Sequence, residues 1–380
     1  MSERYPVSGK SPAFRDVTTL GVGGEIRHYH ALASQNKVLS VIRSVWDSGD
    51  EWMALGGGSN IVVSDEPFNG HVLHVRWRGK QQKDGADNTV LLTVQAGEDW
   101  DNLVAYTVTA GLQGLESLSG IPGSVGASVV QNIGAYGYEL DHVLETVQFL
   151  DYQDGKRKTL GASDLGLAHR TSSLKTGQLR GMVLSVTLRL VKSPQSLPIA
   201  YPQLAEHVAV EVGESVPLET LRAAVLSLRQ SKGMVLDPGD KDSRSVGSFF
   251  INPVVSEKFA YSLPATAPKW LLTHASSQIV QLSAPDSVDV GPKEPEAADN
   301  QSLVKLSAAW LIEHSGIPKG FSLPGSAARV SSKHTLALTN PGGATAEDIT
   351  SLARYIRTQV ANTHGVLLQP EPSLIGLSLD

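Results

Sequence analysis

Three glycine-rich clusters hold the residues best suited to chemistry in the first half of the chain. They are Thr19-Leu-Gly-Val-Gly-Gly24, Leu55-Gly-Gly-Gly-Ser-Asn60, and Ile121-Pro-Gly-Ser-Val-Gly-Ala127 continuing to Gln131-Asn-Ile-Gly-Ala-Tyr-Gly137. Glycine lets a ligand approach the main chain closely. Successive N–H groups in such turns form a concave nest for an anion such as a pyrophosphate. Ser59, Asn60 and Asn132 add side-chain donors. One cluster alone reads as an ordinary tight turn. Three, two of them carrying amide and hydroxyl groups, point to a phosphate-bearing ligand. None is Gly-x-Gly-x-x-Gly between a strand and a helix, and none leads into Gly-Lys-Ser/Thr, so the spacing excludes a dinucleotide fingerprint and a P-loop. The histidines include no His-Glu-x-x-His. His28-x-His30 and His71-x-x-His74 are sparse, so no metal site is expected, and His334 reads first as a structural histidine.

These loops need elements to hold them. Ser34 is placed to cap a helix through Ser48 with Val38, Val41, Ile42, Val45 and Trp46 on one face and Gly49 as its stop. Trp52–Leu55, Ile61–Val63, Val72–Val75 and Val90–Val94 read as strands. Asp99–Ala110 reads as a second helix. Asp154-Gly155 turns a hairpin between Thr146–Tyr152 and Lys156–Leu160, and Met182–Leu190 is a further strand. Lys192–Pro198 looks like a boundary. Helices are expected at Pro217–Ser231, around Lys305–His314, and from a Thr345 cap to about Asn362. Residues 1–16 read as a loose lead-in, 17–195 and 196–376 as two domains, and the acidic, proline-bearing stretch 283–302 as a solvated insertion.

Composition narrows the class. The chain has 380 residues, 41% of them hydrophobic, which supports a sizeable core. Charged residues make up 18%, with 36 glycines and 20 prolines, so turns are frequent. A net charge of −6 gives no global field for nucleic acid or an anionic membrane. There is no cysteine, which excludes disulfides, thiolate catalysis, zinc ribbons and Fe–S clusters. The first ten residues lack an apolar signal core, so a cytoplasmic protein without a membrane span is expected, and the triplet Asn300-Gln-Ser302 carries no weight as a glycosylation site.

Leu55–Asn60, Ile121–Gly137, Gly247-Ser-Phe-Phe-Ile-Asn-Pro253 and Gln369-Pro-Glu371 occur in the order and at about the spacing of the UDP-N-acetylenolpyruvoylglucosamine reductase family, which the chain resembles from about Thr18 to Gly376. The resemblance implies an α+β fold. A two-part FAD-binding domain of the vanillyl-alcohol-oxidase type would precede a C-terminal α+β substrate domain. It implies FAD, NADPH as reductant, and reduction of UDP-N-acetylglucosamine enolpyruvate to UDP-N-acetylmuramate for peptidoglycan. With no cysteine in the chain and no histidine inside Leu55–Asn60 or Ile121–Gly137, the FAD is expected to be non-covalent, and a monomer is expected. Flavin N5 would give hydride to C3 of the enolpyruvyl group and a serine would protonate C2.

By motif match that serine is Ser248, with Arg170 and Glu371 as the other catalytic residues. Gly56, Gly57, Gly58, Ser59, Asn60, Pro122, Gly123, Ser124, Gly126, Ala127, Asn132, Gly134, Ala135 and Tyr136 would hold the cofactor. Tyr201, Arg229, Lys232 and Asn252 would bind substrate. The chemistry suits these types. Charge moves towards the carboxylate as hydride arrives, an arginine forks onto a carboxylate, and a protonated or hydrogen-bonding Glu371 would hold the other oxygen. His169, Thr171 and Ile251 depart from the residues usual in the family. Two other readings stay open: an FAD oxidase acting on an alcohol, and a non-catalytic nucleotide-sugar binder.

Overall fold

The computed structural model describes residues 11–272 and 302–380. Its first unit opens with a parallel three-stranded sheet in the order Ile26–Leu32, Phe68–Val75, Trp52–Leu55. The helix Gln35–Ser48 lies against it, its buried Val38, Ile42, Val45 and Trp46 packing with Leu32 and Leu73. Gly49 ends that helix in the left-handed conformation. An antiparallel sheet follows, in the order Arg157–Leu160, Leu144–Asp151, Gly181–Lys192, Thr89–Gln95, Lys80–Asp84. The helix Trp100–Thr109, capped by Asp99 accepting from Asn102 N at 2.9 Å, buries Leu103, Val104 and Val108 beside Val90, Leu92 and Leu188.

A second unit is built on the helix Ala346–His364. Ile349, Leu352, Ile356 and Val360 are fully buried, as the 3.6-residue spacing predicts. Thr345 and Asp348 form a capping box, and Gly365 closes the helix in the left-handed region. Two small antiparallel sheets complete it: Ser245–Ser248, Ala337–Thr339, Arg329–Val330; and Val254–Ser256, Leu303–Leu306, Lys269–Leu272.

Several expectations change. The lead-in is not loose as far as residue 16: Phe14–Val17 is a helical turn whose Phe14 is wholly buried against Val63 and Val72. Lys305 and Leu306 are strand, paired on both sides, and the helix begins only at Ala308 after its Ser307 cap. Cross-strand pairing has overridden the helical reading. Contacts also cross the expected boundary at 192–198. The helix Leu218–Ser231 buries Leu218 in the core of the first unit, and Arg222 grips Asp101 with two hydrogen bonds of 2.7 and 2.9 Å. The strand Ser373–Ile375 returns to the first unit and pairs in parallel with Ile61–Val63. The insertion 283–302 lies outside the described residues except for Ser302.

Candidate active site

Ser248 ends the strand Ser245–Ser248, whose register against Ala337–Thr339 shifts between Ser245 and Ser248. A bulge of this kind re-aims a side chain. Gly247 makes it possible: its φ of +76° is one that other residues rarely adopt, although a Cβ there would meet nothing within 4 Å. Phe249 and Phe250 then anchor the segment. Both are buried, with ring centroids 5.1 Å apart at 65°; such an edge-to-face pair adds about 0.5–1.5 kcal/mol beyond burial. Phe249 N donates to Leu336 O at 2.7 Å, and Phe249 O accepts from Glu371 N at 2.8 Å. Glu371 is thereby tied to the residue next to Ser248. The Ser248 hydroxyl has no hydrogen bond among the described residues and lines a cavity of about 540 Å³.

Arg170 reaches the same cavity from the first unit. It sits at the tip of a turn closed by two main-chain hydrogen bonds between Ala168 and Thr171, at a φ of +58°. Its guanidinium donates to Gly134 O at 2.7 Å, and its Nε lies 3.6 Å from Glu371 Oε1. Asn132 and Glu139 brace the turn. Asn132 Nδ2 donates to Glu139 Oε2 at 3.1 Å and to Ala168 O at 3.4 Å, while His169 Nδ1 meets Glu139 Oε1 at 2.6 Å. His169 thus finds a carboxylate partner of its own.

The cavity lining carries four cationic side chains, Arg170, Lys175, Arg229 and Lys232, and one carboxylate, Glu371. In a chain of net charge −6 this excess is local. Burial pulls Lys175, Arg229 and Lys232 below their ordinary pKa values. Arg229 Nε is buried without a partner. Desolvated cations short of counter-charges suit an anionic ligand. Arg229 and Lys232 stand at the end of the helix that Asp101 clamps through Arg222. His334 also lines the cavity; burial and the nearby Lys232 and Lys319 push it down to about 4, so it is neutral. Tyr136 and Tyr201 meet edge to face at 5.6 Å, with Tyr201 42% exposed.

The glycine loops close the cavity without charge. Gly57 packs so near the neighbouring loop that a Cβ would lie 2.6 Å from Gly123 Cα. Ser124 occupies a helix N-cap position, yet its hydroxyl makes no cap and is buried without a partner. A glycine cradle with an orphaned hydroxyl fits the flavin nucleotide that the sequence resemblance implies.

Seventeen of the expected positions need only this one description: Gly56, Gly57, Gly58, Ser59, Asn60, Pro122, Gly123, Ser124, Ala127, Gly134, Ala135, Tyr136, Arg170, Tyr201, Arg229, Lys232 and Glu371 join Ser248 in the lining. Three do not. Gly126 packs on the main chain, where a Cβ would lie 2.6 Å from Ala96 Cβ. Asn132 is fully buried and braces the Arg170 turn, as described. Asn252 accepts from Ala308 N at 2.9 Å and so serves a helix start. Sequence reasoning passed over Lys175 and Gln131, and ranked a structural role for His334 ahead of contact with substrate or cofactor, although all three line the cavity. Gln131 lies inside a quoted motif, so its position was the available signal; Lys175 lies in none.

Comparison with known proteins places these features. Residues 27–161 match the family described as FAD binding domain, and residues 237–375 match UDP-N-acetylenolpyruvoylglucosamine reductase, C-terminal domain. The chain is 49% identical over 376 residues to UDP-N-acetylenolpyruvoylglucosamine reductase of Leifsonia xyli, covering 97% of this chain and 99% of that protein. It is 43% identical over 365 residues to the protein of the same name from Thermobifida fusca, covering 96% and 97%. Among solved structures, a UDP-N-acetylenolpyruvylglucosamine reductase from Thermus caldophilus superposes with a TM-score of 0.60 at 24% identity, over 96% of this chain and 98% of that one, a likeness of fold.

Proposed function

The chain belongs to the UDP-N-acetylenolpyruvoylglucosamine reductase family, an FAD enzyme of peptidoglycan synthesis with NADPH as reductant, and we propose that Ser248, Arg170 and Glu371 carry its chemistry. Its α+β chain joins an FAD-binding domain to the C-terminal domain of that family. The observation that supports the assignment is that all three residues, from widely separated parts of the chain, line one cavity together with the glycine cradle.

A flavin held by the glycine cradle and reduced by NADPH would supply hydride chemistry for saturating the enolpyruvyl double bond. Ser248 gives its hydroxyl proton to C2. The hydroxyl is a weak acid, and it serves because the carbon it meets is strongly basic; such proton transfer is worth about 10²–10⁴-fold. Arg170 and Glu371 hold the carboxylate end as charge moves onto it. Arg170 is already fixed by Gly134 O, so little reorganisation is needed at the moment of reaction. Arg229 and Lys232 take the diphosphate of the UDP-sugar, and Tyr201 closes over it. The cradle Gly56–Asn60 with Pro122–Ala127 and Gly134–Tyr136 holds the FAD non-covalently. We propose a monomer, and a cytoplasmic one, where its nucleotide substrates are found. Among the described residues no helix is long and apolar enough to cross a membrane.

An absorbance spectrum of the purified protein tests this. It should be yellow, bleach with anaerobic NADPH, and regain its colour on addition of UDP-N-acetylglucosamine enolpyruvate. Flavin that bleaches and stays bleached with the enolpyruvyl substrate would remove the proposed reaction.

A further inference from the structure

Lys175 lies in the cavity lining beside Arg170 and Glu371, and nothing in the reaction described above uses it. Its Nζ donates to Arg170 O at 3.1 Å, to Glu371 O at 3.1 Å, and to Gln131 Oε1 at 3.4 Å. Arg170 lies near the middle of the chain and Glu371 near its end; Lys175 and Glu371 are 196 residues apart. Among the described residues no other side chain bonds to the main chain of both. Asn60 reaches only the Glu371 carbonyl, at 3.5 Å.

The stem of Lys175 is itself held. Lys175 N donates to Ser172 Oγ at 3.2 Å, and Ser172 Oγ donates to Val130 O at 2.5 Å, which ties the segment to the end of the helix Val125–Val130. The need for a pin is visible in Arg170. A non-glycine residue in the left-handed region is strained by roughly 1–3 kcal/mol and persists only where its surroundings over-determine it. Gly134 O fixes its guanidinium and Lys175 fixes its carbonyl. The same ammonium fixes the carbonyl of Glu371.

We propose that Lys175 is a positioning residue that sets the separation of Arg170 and Glu371, and so the grip on the substrate carboxylate, through their two main-chain carbonyls. This rests on the reading that Arg170 and Glu371 hold that carboxylate. It predicts a division between the half-reactions. Reduction of the flavin by NADPH involves no enolpyruvyl carboxylate, whereas reoxidation by the substrate depends on it.

The test is Lys175→Met in the full-length, flavin-loaded enzyme, with the half-reactions followed separately by anaerobic stopped flow. NADPH reduction should stay within about twofold of wild type, and reoxidation by UDP-N-acetylglucosamine enolpyruvate should slow on the order of 10–100-fold, the size that a misplacement near 1 Å produces. In an Arg170→Met background the same substitution should add no more than about twofold, because both act through one grip. Equal slowing of both half-reactions, or a full multiplication of the two losses, overturns the proposal. If Lys175→Met is isolated without flavin, Lys175→Gln, which keeps a donor, is read in the same way. Flavin loss there too overturns the proposal and makes Lys175 a cofactor-retention residue. Wild-type enzyme that the substrate cannot reoxidise would instead defeat the functional reading itself.

Discussion

The cavity has two kinds of lining. From Met53 to Ile61 and from Ile121 to Tyr136 it offers backbone, hydroxyls, amides and apolar surface, with no charged side chain. From Arg170 onwards it holds every charge: Arg170, Lys175, Arg229, Lys232 and Glu371. The first lining acts by shape, through close loop contacts such as Gly57 against Gly123. The second acts by field, through cations held in a desolvated setting. A cofactor that stays bound is served by a rigid uncharged cradle. Anionic ligands that must arrive, react and leave are served by charges, which attract at a distance.

The largest expected effect removes the one reacting hydroxyl of the second lining. Ser248→Ala should leave NADPH bleaching of the flavin intact and slow reoxidation by the enolpyruvyl substrate about 10²–10⁴-fold. Rapid-mixing spectroscopy separates the two. Unchanged turnover would take Ser248 out of the reaction and leave the charged lining a binding surface alone.

Next in size is a pH effect that compares a histidine behind the cradle with one in the charged lining. His74, 1% exposed, lies behind the cradle, where it meets Tyr29 OH at 2.6 Å and the Gly56 backbone. Burial, then Arg76, pushes it down to about 4. His334 is pushed to about 4 by burial and by Lys232 and Lys319. Both native values lie below the ordinary 6.5, so between pH 6.5 and about 4 the unfolded chain takes up protons that the native state refuses. Stability is therefore full above pH 6.5 and falls as pH drops towards 4. His74 accounts for about 3 kcal/mol of that loss, and His334, facing the cavity, for less. Urea titrations at pH 7, 5.5 and 4.5 should show a flatter acid slope in His74→Gln than in His334→Gln. The reverse ranking would mean that the charged lining, not the cradle, sets acid sensitivity.

Gly57→Ala probes the cradle alone. The new methyl would face Gly123 Cα at 2.6 Å and its carbonyl carbon at 2.9 Å, with no flexible side chain to move aside. Parting the loops should cost about 1–3 kcal/mol, the range for overpacking. The purified variant should carry less flavin and melt earlier, while turnover per bound flavin changes little. Full flavin occupancy with impaired turnover would show that the two linings are not separable.

Much of this division was legible in the residues. The glycine clusters stand out because close approach of two loops selects glycine whatever the rest of the fold does. The long helices declare themselves by periodicity: Ile349, Leu352, Ile356 and Val360 are all fully buried. What was hidden was hidden for physical reasons. Val125–Val130 is a helix written in small residues that also serve a turn. Lys80–Asp84 is a polar, wholly exposed edge strand with no alternation to read. Leu303–Leu306 takes its conformation from strands on both sides. Asn132 and Asn252 carry polar groups inside recognisable motifs and spend them on the fold itself. Lys175 was invisible because its importance lies in a partner 196 residues away.

The smallest expected effect bears most directly on shape against field. Raising salt shortens the screening length from about 10 Å at 0.1 M to about 3 Å at 1 M, which weakens attraction between partly exposed charges and leaves van der Waals fit untouched. The KM for the UDP-sugar should therefore rise several-fold over that range, with kcat nearly constant. Flavin retention, measured by fluorescence of released FAD, should change less. Lys232 is the residue to vary, because among the described residues its Nζ is held only by Gln203 Oε1 at 2.9 Å. In Lys232→Gln the dependence of KM on salt should be shallower than in wild type, since one fewer cation is there to be screened. A wild-type KM indifferent to salt, alongside flavin that washes out with it, would place the field on the cradle side and invert the division of labour between the two linings.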